Sequence, residues 1–448
     1  MNLTEVFTDT LFTLKNRPLP DEIELEARKC LMDETGTMLA GAALQKDLLT
    51  RYLDCFTGED ATVVGLGRKA SLQNAALANG ISGHSYDFDD GHRFSTVHLG
   101  STVIPPVLAV AEKEGRTMDE VLHAIVLGYE TSIRLGHCVQ PGHRARGFHS
   151  SGTVGTVGAA VAVATLLDFD RPMFKDALSA GLTSAAGVNE MILDISTMKP
   201  YNVGRAAHDG ITAAYIAQAG FHGPYDALTG KFSFLRGAWC EDYDASVLTL
   251  EADDGFNITG GYHKPYASCR HTHGAVYAAF KAAKAGNVRW QDIASIRIVM
   301  YGQGIKGHDH TDVPSPGAAK MSTPFCIALA LKTGKVGISS FTEEATTDKD
   351  ILDLSKRITI VADEEMSSWV PKKRASRVEI TTRSGETFSH QADYAPGEPE
   401  LPMTIDDYRE KMTELALSAG KTQAEVDRLT DMILHFRGAA ADFIALLA

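Results

Sequence analysis

The densest concentration of groups able to move protons lies between His84 and Ser101, in the string HSYDFDDGHRFSTVHLGS. Asp87, Asp89 and Asp90 sit there beside His84, His92, His98 and Arg93. Three carboxylates this close repel one another, so at least one should hold its proton unusually well unless a cation or metal neutralises the group. That behaviour suits general acid–base catalysis. The plainer alternative is a helix terminus whose aspartates cap neighbouring backbone. Two sharper readings fail. The Asp-x-Asp-Asp string is similar to the proton-donating motif of class II terpene cyclases, but the chain has only 8% aromatic residues. A calcium loop needs a bidentate Glu at its twelfth position, and counting from Asp87 that position is His98.

Three further segments carry chemistry-capable groups. PGHRARGFHSSGT (Pro141–Thr153) places His143, Arg144, Arg146 and His149 just before a glycine-rich helix start. Free backbone N–H groups and the helix dipole favour an anion there, so a carboxylate ligand fits as well as a solvated basic loop. Ser196-x-x-Lys199, with Lys332-Thr333-Gly334 downstream, imitates the motif pair of penicillin-recognising enzymes. The second of those triplets, however, reads as a helix C-terminus rather than a strand. GYHKPYASCRHTHGAVYAA (Gly261–Ala279) gathers His263, Lys264, Arg270, His271 and His273 with Tyr262 and Tyr266. His271-x-His273 hints at zinc, but the adjacent cations would repel a metal. A polar hinge or an anionic substrate in a cleft explains the cluster better.

The elements that position these groups follow from pattern and punctuation. Residues 1–262 read almost entirely as helices. A helix capped by Asp21 carries Ile23, Ala27, Cys30, Leu31 and Met38 on one stripe. Thr117-x-x-Glu120 opens a helix ending at Gly136, Asp170 before Arg171-Pro172 opens another, and Gly152–Leu167 is apolar nearly all round. The period then changes. Ser295–Tyr301, Arg357–Asp363 and Ser376–Arg383 alternate and are β-branched, and Ser384-Gly385 turns into a further strand at ETFSH. Pro324–Thr333 reads as a helix between them. Pro396–Pro402 breaks the pattern, and Thr404-x-x-Asp407 and Thr422-x-x-Glu425 open two last helices. The expected fold is mainly α: a large helical domain (1–262) interrupted by a smaller α+β domain (263–397), with residues 398–448 returning to the first.

Composition bounds the function. The 448 residues carry 43 Lys+Arg against 57 Asp+Glu, a net charge of −14, with 44% hydrophobic residues. No basic face is on offer for nucleic acid. The six cysteines form no C-x-x-C pair, which argues against a zinc ribbon, a thioredoxin motif or a cysteine-ligated cluster. The first residues lack a signal-peptide pattern, and Val154–Leu167 is too short for the ~20 residues a bilayer span needs. A soluble, cytoplasmic protein without membrane contact is expected.

Taken together, the segments resemble the MmgE/PrpD family. The resemblance rests on H-S-x-D-F-D-D at His84–Asp90, G-F-H-x-x-G-T at Gly147–Thr153 and K-x-x-x-x-G-x-A-A from Lys199. K-P-Y-x-S-C-R-x-T-H at Lys264–His273 and the closing P-G-x-P-x-x-P complete it. The family contains 2-methylcitrate dehydratases, cis-aconitate decarboxylases and an iminodisuccinate epimerase. Membership implies a homodimer and an active site in the cleft between two domains. It implies no organic cofactor and no iron–sulfur cluster, and no metal is expected. The family's catalytic positions fall on Asp87, His98, His149, Lys199 and Lys264. Arg93, Arg270, His273 and Tyr301 are the corresponding candidates for substrate binding.

This chain departs from the family pattern at Gly91, where dehydratases and decarboxylases have Thr. Its following loop is one residue longer, and His98-Leu99 stands where they have His-Pro. The implied function is a cofactor-independent lyase that takes a proton next to a carboxylate of a small di- or tricarboxylic acid, with loss of water as the first reading. An epimerase or a decarboxylase is the alternative. A non-catalytic carboxylate binder is a third reading, against which the charged groups at all five positions speak.

Overall fold

The computed structural model describes residues 2–193, 197–236, 242–249 and 255–448. Ser196 and Cys240 lie outside the described residues. The chain forms two compact units, Met1–Gly261 with Tyr408–Ala448, and Tyr262–Asp407.

The first unit is built on helices α1 (Leu3–Lys15), α2 (Asp21–Leu53), α3 (Leu72–His84), α4 (Gly100–Glu114) and α5 (Met118–Val139). They are followed by α6 (Ser150–Leu166), α7 (Arg171–Ser184) and α8 (Met198–Gln218). Every side chain of α6 is buried, as its all-round apolar composition requires. Its neighbours approach at backbone distance. A Cβ at Gly158 would collide with the Ser132 hydroxyl of α5, and one at Gly204 of α8 would overlap the Leu77 carbonyl of α3. Small residues are therefore what let α3, α5, α6 and α8 share one core.

The start signals behave chemically as the residues suggest. Thr117 and Glu120 form a reciprocal capping box, and the Asp170 side chain accepts the Met173 N–H. Three details differ. Asp21 is the first helical residue rather than the cap, because Pro20 already supplies the extended entry. α5 runs past Gly136 to Val139, ended by the extended Gln140. A two-stranded hairpin, β1 (Ala61–Val63) with β2 (Arg68–Ala70), interrupts the helical run. Its strands are too short to show a period, and its turn rests on Gly65 and Gly67 at positive φ.

The second unit centres on β3 (Ile293–Tyr301) in a four-stranded sheet ordered β4–β3–β5–β6. β4 (Ile358–Asp363) pairs parallel to β3, while β5 (Ser376–Thr382) and β6 (Thr387–Ala392) continue antiparallel. Helix α9 (His273–Ala285) packs on β5 and β6, and α10 (Thr323–Thr333) packs on α9. Lys332 lies in the last turn of α10 and pairs with Asp348 and Asp350, so the Lys-Thr-Gly triplet is a helix terminus.

Residues 398–407, expected to return with the last helices, stay with this unit. Glu398 pairs with Arg270, and the Leu401 carbonyl accepts the Gly397 N–H at 2.8 Å. The unit boundary falls inside α11 (Ile405–Ser418), after which α12 (Gln423–His435) belongs to the first unit. Among the described residues no helix is long and apolar enough to cross a membrane.

Candidate active site

The segment between α3 and α4 is a folded loop held by its own side chains. His92 and Val97 close a turn through an N–H···O=C bond of 3.0 Å. Asp90 Oδ1 accepts the N–H groups of Leu99 (3.2 Å) and Gly100 (2.8 Å), and so caps α4 from ten residues upstream. Tyr129 of α5 donates to Asp90 Oδ2 at 2.8 Å. Asp87 takes the left-handed conformation (φ 52°), which a short polar side chain tolerates, and this turns its carboxylate toward α8.

The result is a close group of four, His84, Asp87, Asp89 and His98, with ligand-capable atoms within 4.8 Å of one another. Asp89 is fully buried, and both oxygens meet His84 Nδ1, at 3.0 and 2.8 Å. Burial alone would raise the Asp89 pKa, but the facing His84 and His98 rings outweigh it and hold the carboxyl well below the usual range. Burial pushes His84 down to about 4, so the imidazole is neutral and its Nδ1–H donates to an ionised Asp89. The His98 ring packs edge-on against His84 with centroids 4.4 Å apart.

His98 itself has a determined tautomer. Its Nδ1 lies 2.9 Å from the Asp90 carbonyl oxygen, which can only accept. Nδ1 therefore carries the hydrogen, and when the ring is neutral Nε2 keeps the lone pair. That nitrogen faces Asp87 Oδ1 at 3.9 Å, and Lys199 Nζ donates to the same oxygen at 3.0 Å. Asp87 is 43% exposed at its side chain, against 17% for His98 and 22% for Lys199. The open side of the group is thus the Asp87–Lys199 edge.

His149 stands at the start of α6, and its Nδ1 lies 2.7 Å from Asn202 Oδ1. Asn202 follows Lys199 by three positions on α8, so one helix face serves both the ammonium and the His149 partner. Burial holds His149 at about 3, opposed by Asn202 and reinforced by Lys199. A Cβ on Gly152 or Gly187 would overlap the Asn202 amide, which explains both glycines. Backbone ties join the two segments: Ser151 Oγ accepts the His98 N–H at 3.0 Å.

Four donor groups this near could in principle share a cation. The Lys199 ammonium already serves Asp87, and both Nδ1 atoms point at oxygen acceptors. These are the contacts of an acid–base group with its own internal cation.

The expected site residues therefore fall into distinct neighbourhoods. Asp87, His98, His149 and Lys199 converge within the first unit. Arg93 stacks on Phe94 (5.1 Å), whose ring leans on His137, beside the buried His92. Lys264, Arg270, His273 and Tyr301 belong to the second unit. Lys264 is buried there. Arg270 pairs with Glu398 and lies over the Tyr262 ring, so its charge is balanced inside the unit. His273 has no exposed surface and bonds through Nε2 to the Ser268 carbonyl at 3.1 Å, closing the turn before α9. Tyr301 ends β3 with its hydroxyl 2.6 Å from His271 Nδ1, and burial raises its pKa to about 12.

Two features of the site go beyond the sequence reading, the Asn202 partner of His149 and the pairing of His84 with Asp89. The first was legible as Lys-x-x-Asn at helical spacing, the second only as part of the acidic string.

Comparison with known proteins covers both units. The MmgE/PrpD N-terminal domain matches residues 5–244, and the MmgE/PrpD C-terminal domain matches residues 266–435. The chain belongs to the MmgE/PrpD family. Among its curated relatives is the cis-aconitate decarboxylase of Homo sapiens, 24% identical, with 92% of this chain and 87% of that protein aligned. The cis-aconitate decarboxylase-like protein oryM of Aspergillus oryzae is also 24% identical, over 100% of this chain and 97% of its own length. The Mus musculus cis-aconitate decarboxylase is similar to the same degree, over 92% and 86%. Within this MmgE/PrpD chain, Asp87, His98, His149 and Lys199 all fall in the N-terminal domain match.

Proposed function

We propose that this MmgE/PrpD enzyme is a lyase acting on a small di- or tricarboxylate without an organic cofactor, through a carbanion stabilised by a neighbouring carboxylate. The observation that carries the reading is the locked His98 ring, whose Nε2 lone pair faces the Asp87–Lys199 edge. Proton transfer next to a carboxylate needs a positioned base together with fixed positive charge for the enolate that forms. His98 Nε2 is that base or, once protonated, the acid. Lys199 holds a substrate carboxylate and stabilises the developing charge. Asp87 sets the position of the Lys199 ammonium, and Lys264 is a second carboxylate-binding cation by family resemblance.

Two lyase outcomes balance. In decarboxylation the bond to the departing carboxylate breaks, its electron pair delocalises into the remaining carboxylate, and His98–H⁺ returns a proton to carbon. In dehydration His98 takes the α-proton, the C–O bond breaks, and the hydroxyl leaves as water with a proton from an acid. Decarboxylation is the first to try, because both mammalian relatives carry that activity in their names. Gly91 and the altered loop after it favour a substrate different from theirs.

A second reading is epimerisation. His149 has its Nδ1 against an amide oxygen, as His98 has its own against a carbonyl, so a second imidazole keeps a free Nε2. Proton NMR in D₂O with cis-aconitate, hydroxylated tricarboxylates and amino-substituted dicarboxylates tests all of this. A new vinyl resonance with a lost carboxylate or hydroxyl establishes the lyase. Exchange of an α-proton without a vinyl product establishes the epimerase, and no change with any substrate overturns both.

A further inference from the structure

Behind the His98 group, in the interior, lies a carboxyl that forms no ion pair among the described residues. Glu34 is on α2 and is 1% exposed. Its Oε2 lies 3.0 Å from Ser101 Oγ at the start of α4, and the same Ser101 Oγ lies 3.0 Å from Asp89 Oδ2. One hydroxyl has one hydrogen and can donate to only one of these oxygens. The second contact is a hydrogen bond only if a carboxyl group donates to Ser101.

Asp89 is not that donor, because its oxygens already accept from His84 and face His98 at 3.3 Å. Glu34 has the opposite surroundings. Asp33 on its own helix and Asp89 and Asp90 of the loop are its acidic neighbours, and Tyr129 approaches from α5. Lys411 of α11 is taken up by the neighbouring Asp33, at 2.6 Å. Glu34 Oε1 has no hydrogen-bond partner among the described residues, a costly position for a charged oxygen. Burial, and then Asp89 and Asp90, raise its pKa well above the usual range.

We propose that Glu34 is a protonated carboxylic acid that donates through Ser101 to Asp89, and so serves as a positioning residue for the His84–Asp89–His98 group. The order is Glu34 Oε2–H to Ser101 Oγ, then Ser101 Oγ–H to Asp89 Oδ2. The carboxylate beside His98 thereby gains a donor without a second charge being buried. Its role in turnover rests on the reading of His98 as the base; the protonation state does not.

Infrared difference spectroscopy of the full chain at about neutral pH, wild type against Glu34→Gln, tests the proton. A protonated-carboxyl C=O band that disappears in the variant, and that shifts on ¹³C-glutamate labelling of the wild type, is expected. Absence of such a band means an ionised Glu34 and overturns the proposal. The labelled wild type alone decides this point if the variant fails to fold.

The coupling is read from the His98 ring ¹⁵N resonances, which need no substrate. They should move in Ser101→Ala and Glu34→Ala and return toward wild type in Glu34→Gln, whose amide can replace the neutral acid. Resonances unmoved in Ser101→Ala would overturn the coupling. If both readouts are as expected and no carboxylate is turned over, only the proposed function fails.

Discussion

His149 Nδ1 and Asn202 Oδ1 lie 2.7 Å apart, joining the first residue before α6 to the second turn of α8. Because an amide oxygen only accepts, the contact assigns the imidazole hydrogen to Nδ1 and leaves the lone pair on Nε2. Buried as it is, with a pKa of about 3, His149 is neutral throughout the physiological range.

Replacing the amide tests that assignment. Asn202→Asp should place a carboxylate charge beside Nδ1 and raise the His149 pKa, moving one limb of the kcat profile to higher pH. Asn202→Ala should free the ring and lower kcat by roughly tenfold or more, with less effect on KM. A kcat profile unmoved in Asn202→Asp would remove His149 from the proton-transfer steps.

The Asp87–Lys199 pair should behave as a unit. Lys199→Ala is expected to lower turnover by roughly a hundredfold or more, since it removes fixed charge from the developing enolate. Asp87→Asn should be less severe, because the ammonium remains. The double variant should lose less than the two single losses combined, a non-additivity that a double-mutant cycle of kcat/KM reads directly. Full additivity would mean that the two side chains act independently.

Lys264→Ala should abolish turnover while circular dichroism and the unfolding midpoint show a folded chain. Retained activity would take Lys264 out of the mechanism.

Stability should fall in mild acid. Burial holds His84 and His143 at about 4 and His92 and His149 at about 3. The unfolded chain binds protons on these residues below the ordinary histidine value of 6.5, and the folded one does not. Folding free energy is therefore lost as pH falls from 6.5 toward 4, roughly 2 kcal/mol for each such histidine at about pH 5. Asp89, held low, adds a loss only below its ordinary value of 3.8. Glu34 has the opposite sign: its raised pKa favours the folded state at low pH, and that contribution declines as pH rises through 4.5. Urea midpoints measured from about pH 7.5 down to about pH 5 should drop steadily. A flat series would show that the histidines titrate normally.

Packing supplies a further test. Gly204→Ala would set a methyl into the Leu77 carbonyl and the Ile81 side chain. Backbone must move, so a loss of about 1–3 kcal/mol in chemical unfolding is expected. Gly420→Ala meets open space but sits at φ 88°, and should lose less, through conformational strain alone.

Local rules were enough for much of the fold. Capping at Thr117 and Thr422 and the alternation in β5 are properties of neighbouring residues, so they were readable in one dimension; β3, a central strand, is continuously buried from Ile298 to Tyr301 and departs from the expected alternation. The types and order of Asp87, His98, His149 and Lys199 were equally legible, because motif chemistry is written in residue identity. The hairpin at Ala61–Ala70 was not, since three-residue strands show no period, and neither was the assignment of residues 398–407, which an Arg270–Glu398 pair decides at a separation of 128 residues.

The roles inside the site needed the tertiary structure. Nothing in the string HSYDFDD says that Asp89 is ionised while Asp90 caps a helix, because both roles depend on which donors the fold brings to each oxygen. Asn202 becomes the orienter of His149 only when α6 and α8 cross closely enough, and Glu34 comes to face Ser101 only when α2 lies against α4. Hydrogen positions and protonation states follow from dielectric and partner geometry, which are set by contacts far apart in the chain.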